Sequence, residues 1–233
     1  MKKILLLFAL CSAGVFLRAQ SSGELLKETA KAYLDAENLS MDVSVHMFTS
    51  ATYSGTLMGN GLIRKAGENY YSKFLTDELI INKSCMVVLD HKMKTVTWYD
   101  MESERNKKKK DKNQQLPDLD SISNGDSVVY SGVSNGRRHF LFYSRAVSSA
   151  IRLTEVFIDD QTHFVAQIVY YYRDNSTEEA YDMYKVVIDY TNISTEKPAD
   201  SFFLEKKYLS YTKNQPVLNA SFSKYKLIIA REP

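Results

Sequence analysis

Residues 151–190, IRLTEVFIDDQTHFVAQIVYYYRDNSTEEAYDMYKVVIDY, hold three runs rich in β-branched and aromatic residues, separated by polar turns at 159–162 and 174–177. Such side chains suit a pleated, half-buried surface, and clustered Asp, Asn and Ser favour turns. The stretch therefore predicts an antiparallel meander. In its third strand Tyr184, Val186, Ile188 and Tyr190 alternate with Met183, Lys185, Val187 and Asp189. A period of two puts these sets on opposite faces. The second strand is apolar on both sides, with Phe164, Ala166, Ile168 and Tyr170 expected on one and Val165, Val169 and Tyr171 on the other. A wide sheet with that much apolar surface needs a cover.

Further strands are expected at 41–48, 56–65, 69–75, 79–82, 85–89, 95–100, 127–133, 138–144 and 224–230, and the first and last of these alternate with the same period. In the last of these, Tyr225, Leu227 and Ile229 are expected to point inward. Gly59 and Gly61 inside a strand predict bending or a close backbone approach. Ser134-Asn135-Gly136 is a hairpin signal. Helical spacing occurs once, after Ser22, where Leu25, Leu26, Thr29, Tyr33 and Leu34 form a stripe that ends near Asn38. Residues 101–126 break the pattern with a polar, charged loop containing Lys107, Lys108, Lys109 and Lys110. The expectation is a mainly β (α+β) chain: an incomplete antiparallel β-barrel, or strongly curved sheet, of ten to twelve strands with one N-terminal helix over its concave face.

Composition narrows this. Met1 to Lys3 is basic, 4–17 is apolar, and Leu17-Arg18-Ala19-Gln20 offers a cleavage site, so 1–20 read as a signal peptide cut near Ala19/Gln20. That leaves 21–233 as a single domain, with 206–233 as a C-terminal extension. Loss of Lys2, Lys3 and Arg18 takes the formal charge from +2 to −1. A near-neutral protein has no electrostatic claim on nucleic acid. Cys11 leaves with the signal, and Cys85 sits in an apolar strand as a buried small hydrophobe. The lysine run fits contact with anionic headgroups or an acidic partner, or simply a solvated loop.

Candidate chemistry is sparse. His46, His91, His139 and His163 are isolated in sequence, without HExxH or CxxC spacing, and His91 and His163 fall in turns. There is no GxSxG, GxxxxGK or GxGxxG. No catalytic residue, metal or cofactor is expected.

The order of elements resembles the LolA/LolB-like superfamily, the bacterial outer-membrane lipoprotein carriers. The segments that carry it are LLKETAKAYLDAENLS, GNGLIRKAGENYYSKF, DELIINKSCMVVLDHKMKTVTWYD, IDDQTHFVAQIVYYYRD, YKVVIDYTNIS and DSFFL, over roughly 24–204. The resemblance implies a periplasmic, non-enzymatic carrier that holds lipid or lipoprotein acyl chains in an apolar cavity. Classical carriers have Arg-Pro at the turn between strands two and three, where this chain has Gly67-Glu68, with Arg64 and Lys65 slightly earlier. The strand pattern supplies a wall of Val43, Val45, Met47, Ile63, Phe74, Ile81, Val88, Trp98, Phe140, Phe142, Ile168, Val186 and Ile188. A monomer in peripheral contact with the membrane, with an envelope protein as partner, completes the expectation. The alternatives are an envelope scaffold of the same fold assisting secretion or outer-membrane assembly, and a hydrolase built from dispersed residues. The hydrolase requires a polar cleft with a His–carboxylate contact.

Overall fold

The computed structural model describes residues 22–50, 54–101, 127–146, 148–173 and 184–230. Residues 1–20, read above as a signal peptide, the lysine run and the expected turn at 174–177 lie outside them. Helix α1 (Ser22–Asp35) leads into β1 (Asn38–Phe48), β2 (Thr56–Ala66), β3 (Asn69–Phe74), β4 (Asp77–Ile81), β5 (Cys85–Asp90) and β6 (Thr95–Asp100). Then come β7 (Ser127–Ser134), β8 (Arg137–Tyr143), β9 (Ile151–Asp159), β10 (Val165–Tyr172) and β11 (Lys185–Ser194). A tail of short 3-10 turns carries β12 (Leu209–Thr212), β13 (Gln215–Leu218) and β14 (Lys226–Ala230). Twelve strands make one strongly curved, open sheet in the order β14-β6-β5-β4-β3-β2-β1-β11-β10-β9-β8-β7, and β12 and β13 form a hairpin apart from it. The expected meander is β9-β10-β11. Among the described residues the one parallel pairing joins β14 to β6.

Because side chains alternate along each strand, the sheet has two faces, and each needs its own cover. One face carries Met41, Phe140, Val156, Ile158 and Ile168, packed against Leu25 and Tyr33 of α1. It continues through Ile63 into a second cluster of Tyr70, Ile81, Met86 and Met101. The other face carries Tyr71, Ile80, Val87, Leu89 and Val96 under Phe203, Tyr208 and Leu209 of the tail. The tail therefore does not plug the helix face. It lies on the far side of the sheet, over β2 to β6.

Several side chains depart from the expected pattern. Leu34 is 81% exposed. α1 ends at Asp35 and β1 starts at Asn38, so Leu34 falls just outside the stripe set by Leu25, Thr29 and Tyr33. A bulge pairs Val165 with Ile158 but Gln167 with Phe157. One extra residue shifts the alternation, and Val165 joins Ile168 on the helix face. Tyr225 and Leu227 pack inward as expected. Ile229 is more than half exposed, because β14 is an edge strand.

The tail is held by a buried carboxylate. Glu78 is 3% exposed and accepts hydrogen bonds from the Tyr71 and Tyr208 hydroxyls. His91 Nε2 lies 2.9 Å from its Oε1, and His91 Nδ1 is 2.7 Å from the Tyr225 hydroxyl. Lys73 and Lys207 bring their ammonium groups to 3.2 and 3.6 Å. Burial alone would raise the Glu78 pKa, but hydrogen bonds from Tyr208, His91, Tyr71 and Lys73 outweigh it and hold the carboxyl at about 2. Burial and the same carboxylate push the Tyr208 and Tyr71 hydroxyls up. His91, expected in a solvated turn, is a bridge between sheet and tail.

Glu78 has its folded-state pKa below the ordinary 4.5. Its stabilisation is therefore complete above that pH and is lost as pH falls towards about 2. Glu78→Gln should cost about 3 kcal/mol at neutral pH, since it leaves the surrounding donors without their charged partner. Urea denaturation between pH 7 and 2 checks both points. Wild type should weaken below pH 4.5 more steeply than the variant, and parallel curves would remove Glu78 as the source.

Candidate apolar binding face

Helix α1 lies across one end of its face, pinned at three places. Arg138 on β8 donates to Glu28 of the helix and to Asp160 beside β9. Tyr33 meets Phe164 edge-on at 5.0 Å, and its hydroxyl accepts the Val165 amide at 3.1 Å. That amide belongs to the bulge, so the helix satisfies a backbone donor where the ladder is interrupted. Lys65 on β2 is buried, and its ammonium donates to the Ala36 carbonyl at 2.6 Å. A cation there suits the negative end of a helix, although burial lowers the Lys65 pKa. The helix thus runs from β8 past β10 to the end of β2. The other ends of these strands lie beyond it.

The register shows where the expected wall residues fall, because directly paired residues share a face. Met41 pairs with Ile63, Val43 with Gly61 and Tyr190, Val45 with Gly59 and Ile188, and Met47 with Val186. Ile188 pairs with Ile168 and Val186 with Tyr170. Gly61 pairs with Phe74, Tyr70 with Ile81, and Leu79 with Val88. Phe140 and Phe142 pair with Val156 and Thr154. All the expected wall residues except Trp98 share the helix face. Trp98 pairs with Val87 and packs on the tail side. It follows Thr97, which is opposite Val88, so one step along β6 turns it away.

The twelve are not equivalent. Ile81, Phe140, Phe142 and Ile168 are buried core. Ile63, Val88 and Ile188 are partly buried at the margins of that core. Val43, Val45, Met47, Phe74 and Val186 are partly exposed and lie outside both clusters. They form an apolar strip across β3, β2, β1 and β11, beyond the helix. The glycines allow its close packing: a Cβ on Gly61 would stand 2.8 Å from the Phe74 ring, and one on Gly59 would be 2.0 Å from Leu75. Beside the strip, Tyr33, Tyr70, Tyr170 and Tyr190 have their hydroxyls pushed up by burial, and Tyr190 is in electrostatic reach of the other three. Tyr33 and Tyr70 are buried, so the polar groups next to the strip are the partly buried Tyr170 and Tyr190, paired with Val186 and Val43.

Arg64 belongs to the other face. It donates to Asp42 at 2.8 Å and to the Met41 carbonyl at 2.7 Å, with its guanidinium over Phe202. It is tied to the tail, and the cation next to the helix is Lys65. Cys85 is free and buried, and burial pushes its thiol up to about 11. Among the described residues no His, Cys, Asp or Glu group could hold a metal ion, and no helix is long and apolar enough to cross a membrane.

Sequence reading missed a depression of about 520 Å³ on the tail face, clear of the tail, over β9, β10, β11 and β1. Its rim includes His46, Glu155, Gln167, Lys185 and Asp189, with His46 Nδ1 3.8 Å from Asp189. The His–carboxylate contact required by the hydrolase alternative is therefore present, but among the described residues no Ser, Thr or Cys lines the depression to act as nucleophile. These residues come from segments over a hundred positions apart, which local spacing does not connect.

The described residues form an open, curved sheet with one helix across one face. A solved LolA superfamily protein from Nitrosomonas europaea aligns with it at a TM-score of 0.34 and 9% identity, covering 81% of this chain and all of the other. Lipoprotein LppX of Mycobacterium tuberculosis aligns at 0.39 and 11%, covering 77% of this chain and all of that one. An uncharacterised conserved protein from Thermus thermophilus aligns at 0.46 and 9%, covering 91% and 100%. No family model and no curated protein matches the chain. The likeness is one of backbone layout.

Tyr33→Phe removes the acceptor for the bulge amide while keeping the ring. The expected cost is about 1–3 kcal/mol in urea denaturation, with faster hydrogen exchange at Val165. Unchanged exchange there would show that the helix does not anchor the bulge.

Proposed function

We propose that this protein is a non-enzymatic carrier of the bacterial periplasm that holds acyl chains of a lipid or lipoprotein against its helix face. The observation that supports the reading is the strip of Val43, Val45, Met47, Phe74 and Val186, left partly exposed although it adjoins two packed cores. Magnitudes favour an acyl occupant. Each methylene exposed to water costs about 0.8 kcal/mol, so a long chain costs on the order of 12 kcal/mol to move unescorted. An apolar wall with tyrosine hydroxyls at its edge can take the chain and leave its polar head near hydrogen-bonding groups. The chain's own side chains do the rest: α1, fixed by Arg138, Tyr33 and Lys65, covers one end of the wall and leaves the other for the guest.

Val186→Glu places a charge on this strip without touching either core. Lipid extracted from the purified protein and weighed by mass spectrometry should fall at least severalfold, while far-UV circular dichroism stays β-rich. Equal lipid loading in the variant would remove the strip as the site. Absence of lipid from the wild type would favour a scaffold of the same fold.

A further inference from the structure

The depression on the tail face has a polarity of its own. Its floor is Val169 and Val187, both buried and paired through neighbouring strands. One side is acidic: Asp189, paired with Gln167, which donates to it at 2.6 Å, and 3.8 Å from His46 Nδ1. Glu155 lies in the central row opposite Val169, engaged by Tyr171 and 3.7 Å from His139 Nε2. The other side is cationic. Lys185 lies four residues from Asp189 on the same face of β11, about 13 Å apart along the strand. Its ammonium sits over the Phe48 ring at 4.6 Å and near the Tyr171 ring at 5.9 Å. Among the described residues it has no carboxylate within ion-pair distance. Phe157 closes the acidic side, stacked on His139 at 4.3 Å.

We infer that this depression binds a small zwitterion, its ammonium on Asp189 and its anionic group on Lys185. The depression is shallow and open to solvent, with an apolar floor and a few polar groups around it, which suits a small polar ligand held at the surface. The two rings hold the lysine in place, so little side-chain freedom remains to be lost when an anion arrives. A ligand of one charge would meet the opposite sign at one end and its own sign at the other. A molecule carrying both satisfies both ends. A phosphoethanolamine headgroup and a short peptide with free termini share this chemistry. The site is on the opposite face from the acyl strip, so either reading can fail alone.

Isothermal titration of the protein with O-phosphoethanolamine and, separately, with alanyl-alanine tests the inference. At least one should bind, weaken in high salt, and shift backbone resonances of β9–β11. Ethylamine and inorganic phosphate alone should bind more weakly than the zwitterion. Lys185→Met and Asp189→Asn, both at the surface, should each lower affinity roughly tenfold or more with the fold unchanged by circular dichroism. Binding of the first probe only, with flotation on phosphatidylethanolamine vesicles, assigns the headgroup; binding of the second only assigns peptide. No binding by either probe, or affinities that both variants leave unchanged, would overturn the inference.

Discussion

A twelve-stranded sheet has two faces, and the described residues supply one helix and one tail to cover them. Strand alternation makes the division strict: the residue next to a covered one belongs to the other side. The helix covers the β1 and β7–β11 part of one face, and the tail covers the β2–β6 part of the other. Each cover leaves something open. Beyond the helix that is the apolar strip through Val43, Val45 and Met47. Beyond the tail it is the polar depression around Asp189 and Lys185. The same strands β1 and β11 line both, with odd-numbered β1 residues facing the strip and even-numbered ones the depression. One pair of strands therefore presents two surfaces of unlike chemistry, back to back.

The two covers are attached by different means. The helix relies on packing of Leu25 and Tyr33, supplemented by single polar ties to Arg138, Val165 and Lys65. The tail converges on one carboxylate, Glu78, which draws donors from β3, from the turn before β6 and from the tail itself. A buried charge is tolerable only with such partners. The tail is thereby fixed over β2–β6.

Much of this was legible from residue order alone. The strand positions followed from runs rich in β-branched and aromatic residues between turn signals, and the third meander strand faced as its alternation required. The pairing of β1 with β11, which sets Val43, Val45 and Met47 beside Val186 and Ile188, joins segments over a hundred positions apart and was not legible. What was not legible depends on single-residue shifts or on distance in the chain. The bulge at Val165 inverts a pattern that is apolar on both sides and so gives no warning. Trp98 is one step out of register in a strand whose neighbours, Thr97 and Tyr99, give little contrast. Leu34 lies at the fraying end of a short helix. His91 looked solvated because its partners, Glu78 and Tyr225, come from another strand and from the tail.

The parallel strand β14 has a consequence for assembly. It joins β6 through pairs such as Lys226 with Thr95, across 131 positions of sequence. Closing so long a loop is costly before any reward arrives, so this ladder belongs to the slow steps of folding. Until residues 226–230 dock, β6 presents a bare row of amides and carbonyls beside Val96 and Trp98, a template for pairing with other chains. In the folded protein an intact β14 is thus what closes this border of the sheet to other chains.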